Sequence, residues 1–319
     1  MPILEDDFDE NAMFKSPAPA PAAAVAPAVP SPMVSMGSTQ NPLTKYFRIP
    51  GISVKLPTGG QFFPAGAIEL NENGEIDVLP MRGADELLLN SPDALMNNTA
   101  ILNLIKSCVP QIKRPELVSA PDLDVLLLAI RVASTGDKLE LELPYPKCEE
   151  SNKFELDIPS MIQTAKPIPA VTTVRVTDEV VIQINPLTLG AQTRILVDAF
   201  AETRKAQSLD MSDDLSDDER NAMSNEIVQK IADINMYSVQ QSIVKVIVPD
   251  AEVTDRKHIA EFVQNIDRAS LQKIRAKIDE LAKLGVDKSF EAECAHCAHK
   301  WPAQVEFDPA TFFGTRSFD

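Results

Sequence analysis

The sequence predicts an α+β fold. A small β-rich N-terminal module leads into a helical, bundle-like middle. A split zinc-ribbon-like β module follows, interrupted by a hairpin-plus-helices insert. Three observations predict this. Alternating apolar residues and turn signals fill residues 44–81. Apolar residues at spacings of three and four fill much of residues 82–134. Two cysteine-bearing stretches with strand-like flanks lie far apart in the chain. The implied division is a Pro/Ala-rich arm with an acidic tip (1–43), a β-rich segment plus helices (44–138), the ribbon-like module (139–160 with 286–319) and the insert (161–285).

The arm holds Pro2, Pro17, Pro19, Pro21, Pro27, Pro30, Pro32 and Pro42 among Ala, Val and Ser, and reads as a mobile, partly polyproline segment. Its tip sets Ile3, Leu4, Phe8, Met13 and Phe14 among acidic residues, a pattern able to anchor on a basic groove. Ile52, Val54 and Leu56 alternate with Ser53 and Lys55, the period of a half-buried strand. Thr58-Gly59-Gly60 and Asn73-Gly74 signal turns, and Ile76 and Val78 precede a strand-ending Pro80. Residues 82–89 read as a short helix, broken by Ser91-Pro92. Ile101, Leu104, Ile105 and Cys108 share one helical face, on which Cys108 is a small buried hydrophobe. The nearly wholly apolar run of residues 122–134 reads as a buried helix, and LELEL at 139–143 as a strand.

Residues 171–184 pattern as a β-hairpin around Asp178-Glu179. A helix is expected from Leu187 to Ala206, and then an acidic loop. Ser216 and Glu219 have the spacing of a capping box, which starts a helix expected to reach about Ile247. A further helical pair spans Asp255 to Leu284, stopped by Gly285.

Composition narrows the function. The chain is 44% hydrophobic and 24% charged, ordinary for a globular protein. Its 47 acidic against 30 basic residues give a net charge of −17, which disfavours nucleic acid and anionic membrane as partners. No apolar run approaches the roughly 18 residues of a membrane span. The acidic N-terminus, MPILEDDFDENAMF, does not read as a secretory signal. Four cysteines in 319 residues make no disulfide scaffold.

The sharpest chemistry is FEAECAHCAHKWPAQVEFDP. Cys294 and Cys297 form a C-x-x-C turn beside His296 and His299, one knuckle of a zinc ribbon. The second half falls at Cys148, where a regular knuckle would place another Cys at position 145; Tyr145 stands there instead. The candidate ligands are Cys148, Cys294, Cys297 and His299, with His296 as the alternative imidazole, a Cys3His set that zinc accepts. Two alternatives stand beside zinc: a metal-free ribbon packed by Trp301, Phe307 and Tyr145, and a redox pair. Phosphate-loop, dinucleotide, H-E-x-x-H and G-x-S-x-G motifs are missing from the sequence, and the three histidines lie in the knuckle or on a charged helix. No catalytic residue is assigned, and a non-enzyme is expected.

NPLTKYFRIPGISVKLPTGGQFFP, EIDVLPMRGADELLLNSPDALMNNTAILNLIKSCVPQIKRP, DVLLLAIRVASTGDKLELELPYPKC and ECAHCAHKWPAQVEFDPATFFG together resemble the baseplate hub subunit family of T4-type contractile-tailed bacteriophages. The resemblance covers a little under half of the chain. It implies a component or assembly factor of the central hub, working in the host cytoplasm during assembly or in the virion tail baseplate. Its partners would be other hub and tail proteins. The family's first knuckle has the pattern Cys-Pro-x-Cys, and Tyr145 departs from it. Phe312, Phe313 and Phe318 are candidate interface anchors, as are Phe8 and Phe14; the alternative is that the C-terminal phenylalanines tuck into the ribbon. The competing function is a zinc-ribbon adaptor in phage transcription or replication, for which Lys288, Lys300 and Arg316 supply few cations.

Overall fold

The computed structural model describes residues 43, 48–91, 94, 98–145, 151–210, 216–305 and 312–313. The chain divides into two compact units, Met1–Phe47 and Arg48–Asp319. In the first unit only Leu43 is described, so the candidate anchors Phe8 and Phe14 lie outside the described residues, as do Cys148, Phe307 and Phe318. All that follows concerns the second unit.

It mixes helices and antiparallel sheets, as an α+β reading requires. Strand β1 (Ile52–Val54) pairs with β2 (Ile76–Val78), Ser53 lying opposite Asp77. Helix α1 (Gly83–Leu89) follows Arg82, and α2 (Thr99–Cys108) buries Ile101, Leu104, Ile105 and Cys108 on the face that its period marks out. Helix α3 (Ala120–Thr135) is the centre of the first core. Val125, Leu126, Leu128, Ala129 and Ile130 are fully buried against β1, β2 and α2. Its start is set by Ser119 and Pro121, and Gly136 ends it at a φ of 103° that favours glycine.

Strands β3 (Lys138–Pro144) and β4 (Ser151–Asp157) form a hairpin, and Asp157 caps the short helix α4 (Ile158–Gln163). The chain then leaves for a second core. Strands β5 (Thr172–Arg175) and β6 (Val181–Ile184) form the expected hairpin. Helix α5 (Leu189–Asp210) and helix α6 (Asp217–Ser242) follow, the latter opened by the capping box of Ser216 and Glu219.

The helix expected to reach Ile247 instead stops at Ser242. Residues Ile243–Val248 form strand β7, and Ala251–Val253 form β8, so the hairpin grows into a sheet of order β5-β6-β7-β8. Ile243 has extended backbone, and IVKVIV packs in the middle of that sheet. A short, continuous apolar run looks alike as buried helix or as central strand. Helices α7 (Arg256–Asn265) and α8 (Arg268–Ala282), capped by Asp255 and Asp267, cover the sheet. The second core gathers Ile182, Ile184, Val239, Ile243, Ile259, Val263, Ile274 and Leu281.

The chain returns beside its exit. Lys166 N–H donates to Gly285 O at 3.0 Å, and Asp287 N–H donates to Thr164 Oγ1 at 2.9 Å. Strands β9 (Ser289–Glu293) and β10 (Lys300–Gln304) then form the last hairpin. No helix among the described residues is long and apolar enough to cross a membrane.

Candidate functional site

The cysteine turn joins β9 to β10, whose register sets Glu293 opposite Lys300 and Ala292 opposite Trp301. Strand alternation turns Phe290 and Ala292 inward and carries the same parity to Cys294, which is 1% exposed. Cys294 N–H donates to His299 O at 3.0 Å, and Ala298 N–H donates to Cys294 O at 2.8 Å. Ala298 closes the turn at a φ of 54°, the left-handed conformation usually left to glycine. Cys297, His296 and His299 are exposed.

The β3–β4 hairpin packs against this turn. Tyr145, 5% exposed, stacks on His299 with ring centroids 5.3 Å apart and on Trp301 at 4.8 Å. Phe154 meets Phe290 edge-on at 5.5 Å and Trp301 at 6.0 Å. Asn152 is buried, and its side-chain oxygen accepts from Ala295 N–H at 2.8 Å. The β3–β4 hairpin and the distant cysteine turn are thus neighbours, fastened by four aromatic rings, one imidazole and an asparagine. Of the four candidate ligands, Cys294, Cys297 and His299 share one turn, and Cys148 lies outside the described residues. Among the described residues no group of three or more His, Cys, Asp or Glu is arranged to hold a metal. The donor chemistry suits zinc in part: the turn carries two thiols and an imidazole, residue types that zinc accepts. Tyr145 fills the remaining corner with packing.

Of the C-terminal phenylalanines, Phe312 and Phe313 are described, and both are buried. Phe312 and Phe313 are 3% and 5% exposed and belong to the first core, meeting each other edge-on at 5.0 Å. Arg131 of α3 donates to Phe312 O and lies over its ring, 5.3 Å from the centroid. The Arg131 clasp and apolar burial hold both rings inside the chain, the inward alternative to a role as interface anchors.

Two buried carboxylates and a half-buried one escaped the sequence reading. Asp122 is fully buried at the N-terminus of α3. It accepts from Thr58 N–H at 3.0 Å, Thr58 Oγ1 at 2.6 Å and Ser119 Oγ at 2.8 Å. Burial pushes its carboxyl up, and those donors only partly offset the shift. Asp85 is also pushed up by burial. The hydroxyl of Ser107 at 2.6 Å and the Arg82 donors outweigh that and hold it below the usual range. Asp124 is raised by burial and opposed by Lys288 at 2.8 Å, which ties the returning chain to α3. The readable signal was Asp122 three residues after Ser119, an N-terminal helix pattern with a carboxylate that faces inward.

Each of these carboxylates is engaged by donors of the chain itself, so the arrangement holds elements together. Beside Asp85 a cleft of about 610 Å³ is lined by Arg48, Arg82, Lys106 and Ser107. Arg48 is occupied there by Pro80 O and by Ser107 O at 2.8 Å.

A family model described as T4 bacteriophage base plate protein matches residues 50–314. No curated protein and no solved structure matches the chain.

Proposed function

The chain belongs to the T4 bacteriophage base plate protein family, and from that premise we propose that it serves the central hub of a contractile tail's baseplate, as a non-enzymatic component or assembly factor acting through protein–protein contacts. The coarse assignment is a structural phage baseplate protein, with other baseplate and tail proteins as its neighbours. The observation that carries the reading is the family match, which spans both cores and the two hairpins. The buried carboxylates support a non-enzymatic role, because their donors are structural. The net charge of −17 supports protein rather than nucleic-acid partners.

The test is quantitative mass spectrometry of purified, DNA-filled virions, scaled against a tail protein of known copy number. A small integral copy number per tail identifies a permanent subunit. Absence from virions with presence in hub intermediates of infected cells identifies an assembly factor. Absence from both overturns the hub reading.

A zinc role accompanies this proposal. Cys294, Cys297, Cys148 and His299 would hold the ion, which would supply a structural cross-link between the two hairpins. Replacing Cys294 with Ser is expected to lower zinc content and melting temperature together. Metal-free protein with unchanged melting sinks the zinc proposal and leaves the aromatic stack as the fastening.

A further inference from the structure

Helices α5 and α6 form an antiparallel pair whose seam is thin. On α5 it is Ile195, Ala199, Glu202, Ala206 and Leu209; on α6 it is chiefly Ile227 and Ile234. A cleft of about 580 Å³ takes one side of the pair, lined by Arg194, Asp198, Glu202, Lys230, Asp233 and Tyr237 among others. Arg194 lies 3.7 Å from Asp198 and over the Tyr237 ring at 4.7 Å. Five charged residues of the two helices gather on this side.

Each helix has one stripe left, turned away from both seam and cleft. On α5 it is Leu196, Phe200, Thr203 and Gln207, at steps of four, three and four. On α6 it is Asn221, Ser224, Val228, Ile231 and Asn235, at steps of three, four, three and four. All nine are exposed, and none is charged. Leu196 is 47% exposed, Phe200 42%, Val228 63% and Ile231 44%. Arg204 borders the stripe, its guanidinium 5.9 Å from the centroid of Phe200.

In a chain of net charge −17 this segregation has a physical reading. Two copies repel wherever their contact brings carboxylates together. Among its described side chains this face brings none, and only at the loop end do Asp210 and Asp217 continue the two stripes. Its centre is apolar, and its Thr, Gln, Asn and Ser margins can each donate and accept, so the face complements itself across a two-fold axis. A two-helix layer with one apolar face open is half of a four-helix bundle. We propose that the uncharged face of α5 and α6 binds a second copy of this chain, the two helix pairs closing into a four-helix bundle.

The test is sedimentation equilibrium of the full chain over a range of concentrations. Twice the mass of the single chain is expected. The double variant Val228→Glu, Ile231→Glu alters exposed positions with a good helix former, so the circular dichroism is expected to stay unchanged. Dimerisation should weaken at least about tenfold. The control Asp233→Lys, on the cleft side, should leave the dimer intact, and high salt should not dissociate it because no ion pair carries the contact. A wild-type monomer at every concentration overturns the proposal. A dimer that ignores the double variant also overturns it, as does one that dissolves in salt. Binding of a different baseplate protein to this face by a monomeric chain would assign the face to that protein and overturn self-pairing.

Discussion

Asp122 shows how much one side chain settles. It faces the Thr58 turn, accepts three hydrogen bonds there and starts the central helix. Asp122→Ala strands the Thr58 and Ser119 donors in a dry site and should cost about 2–3 kcal/mol, read by denaturant unfolding. Because burial raises its pKa in the folded chain, the native state keeps a proton that the unfolded chain has released. Its contribution is therefore complete below the ordinary carboxylate range and is lost as pH rises through the raised value. Measured against Asp122→Asn, which has no proton to lose, the wild-type chain should lose stability from about pH 4 towards neutrality; parallel pH profiles would refute this. Cys108 gives a second test. Burial first, and the Asp85 carboxylate second, push its thiol up to about 11. A thiol reagent at mildly alkaline pH should leave Cys108 unlabelled in the native protein and label it only after denaturation, as peptide mass spectrometry would report.

At the scale of elements, what the sequence made legible follows from periodicity. The Ile101–Cys108 face of α2, the Ser216–Glu219 box and the β5–β6 hairpin each carry a local signal strong enough to outweigh their surroundings. Strand β7 does not, because its neighbours on both edges of the sheet remove the polar alternation that would mark it. The cysteine turn was legible from its spacing, whereas the Asn152–Ala295 and Tyr145–His299 contacts depend on two hairpins that are far apart in sequence. Phe312 and Phe313 were ambiguous because an apolar end looks the same whether it is docked or presented. Where the chain returns from the second core, Gly285 sits at a φ of 105°, and a Cβ there would approach Pro121 Cβ to 3.1 Å. Gly285→Ala should therefore lower stability by about 1–2 kcal/mol and shift the thermal midpoint down.

Over the whole molecule, electrostatics work against compactness. Most of the ion pairs among the described residues join exposed side chains, such as Lys113 with Glu69 and Lys300 with Glu291, and pairs of that kind contribute about 0–1 kcal/mol each. A net charge of −17 repels itself, and that repulsion is expected to exceed what such pairs restore. Raising salt from a few millimolar to about 0.15 M at neutral pH should then raise the melting temperature; a fall would mean that the pairs dominate. The exit and return of the chain at Thr164–Lys166 and Gly285–Asp287 bear on how such a protein can change over evolutionary time. Two chain paths held one hydrogen bond apart form a gate between the first core and most of what lies beyond it. The entropy of closing a loop grows only with the logarithm of its length, by about 0.6 kcal/mol per doubling. Ile168, bonded to Pro57, and Leu187 and Leu189, bonded to Ala120 and Val118 at the start of α3, must stay in place; the parts of the insert that do not touch the first core can lengthen, shorten or be exchanged. The gate makes the far end of this protein the cheapest part of it to reinvent.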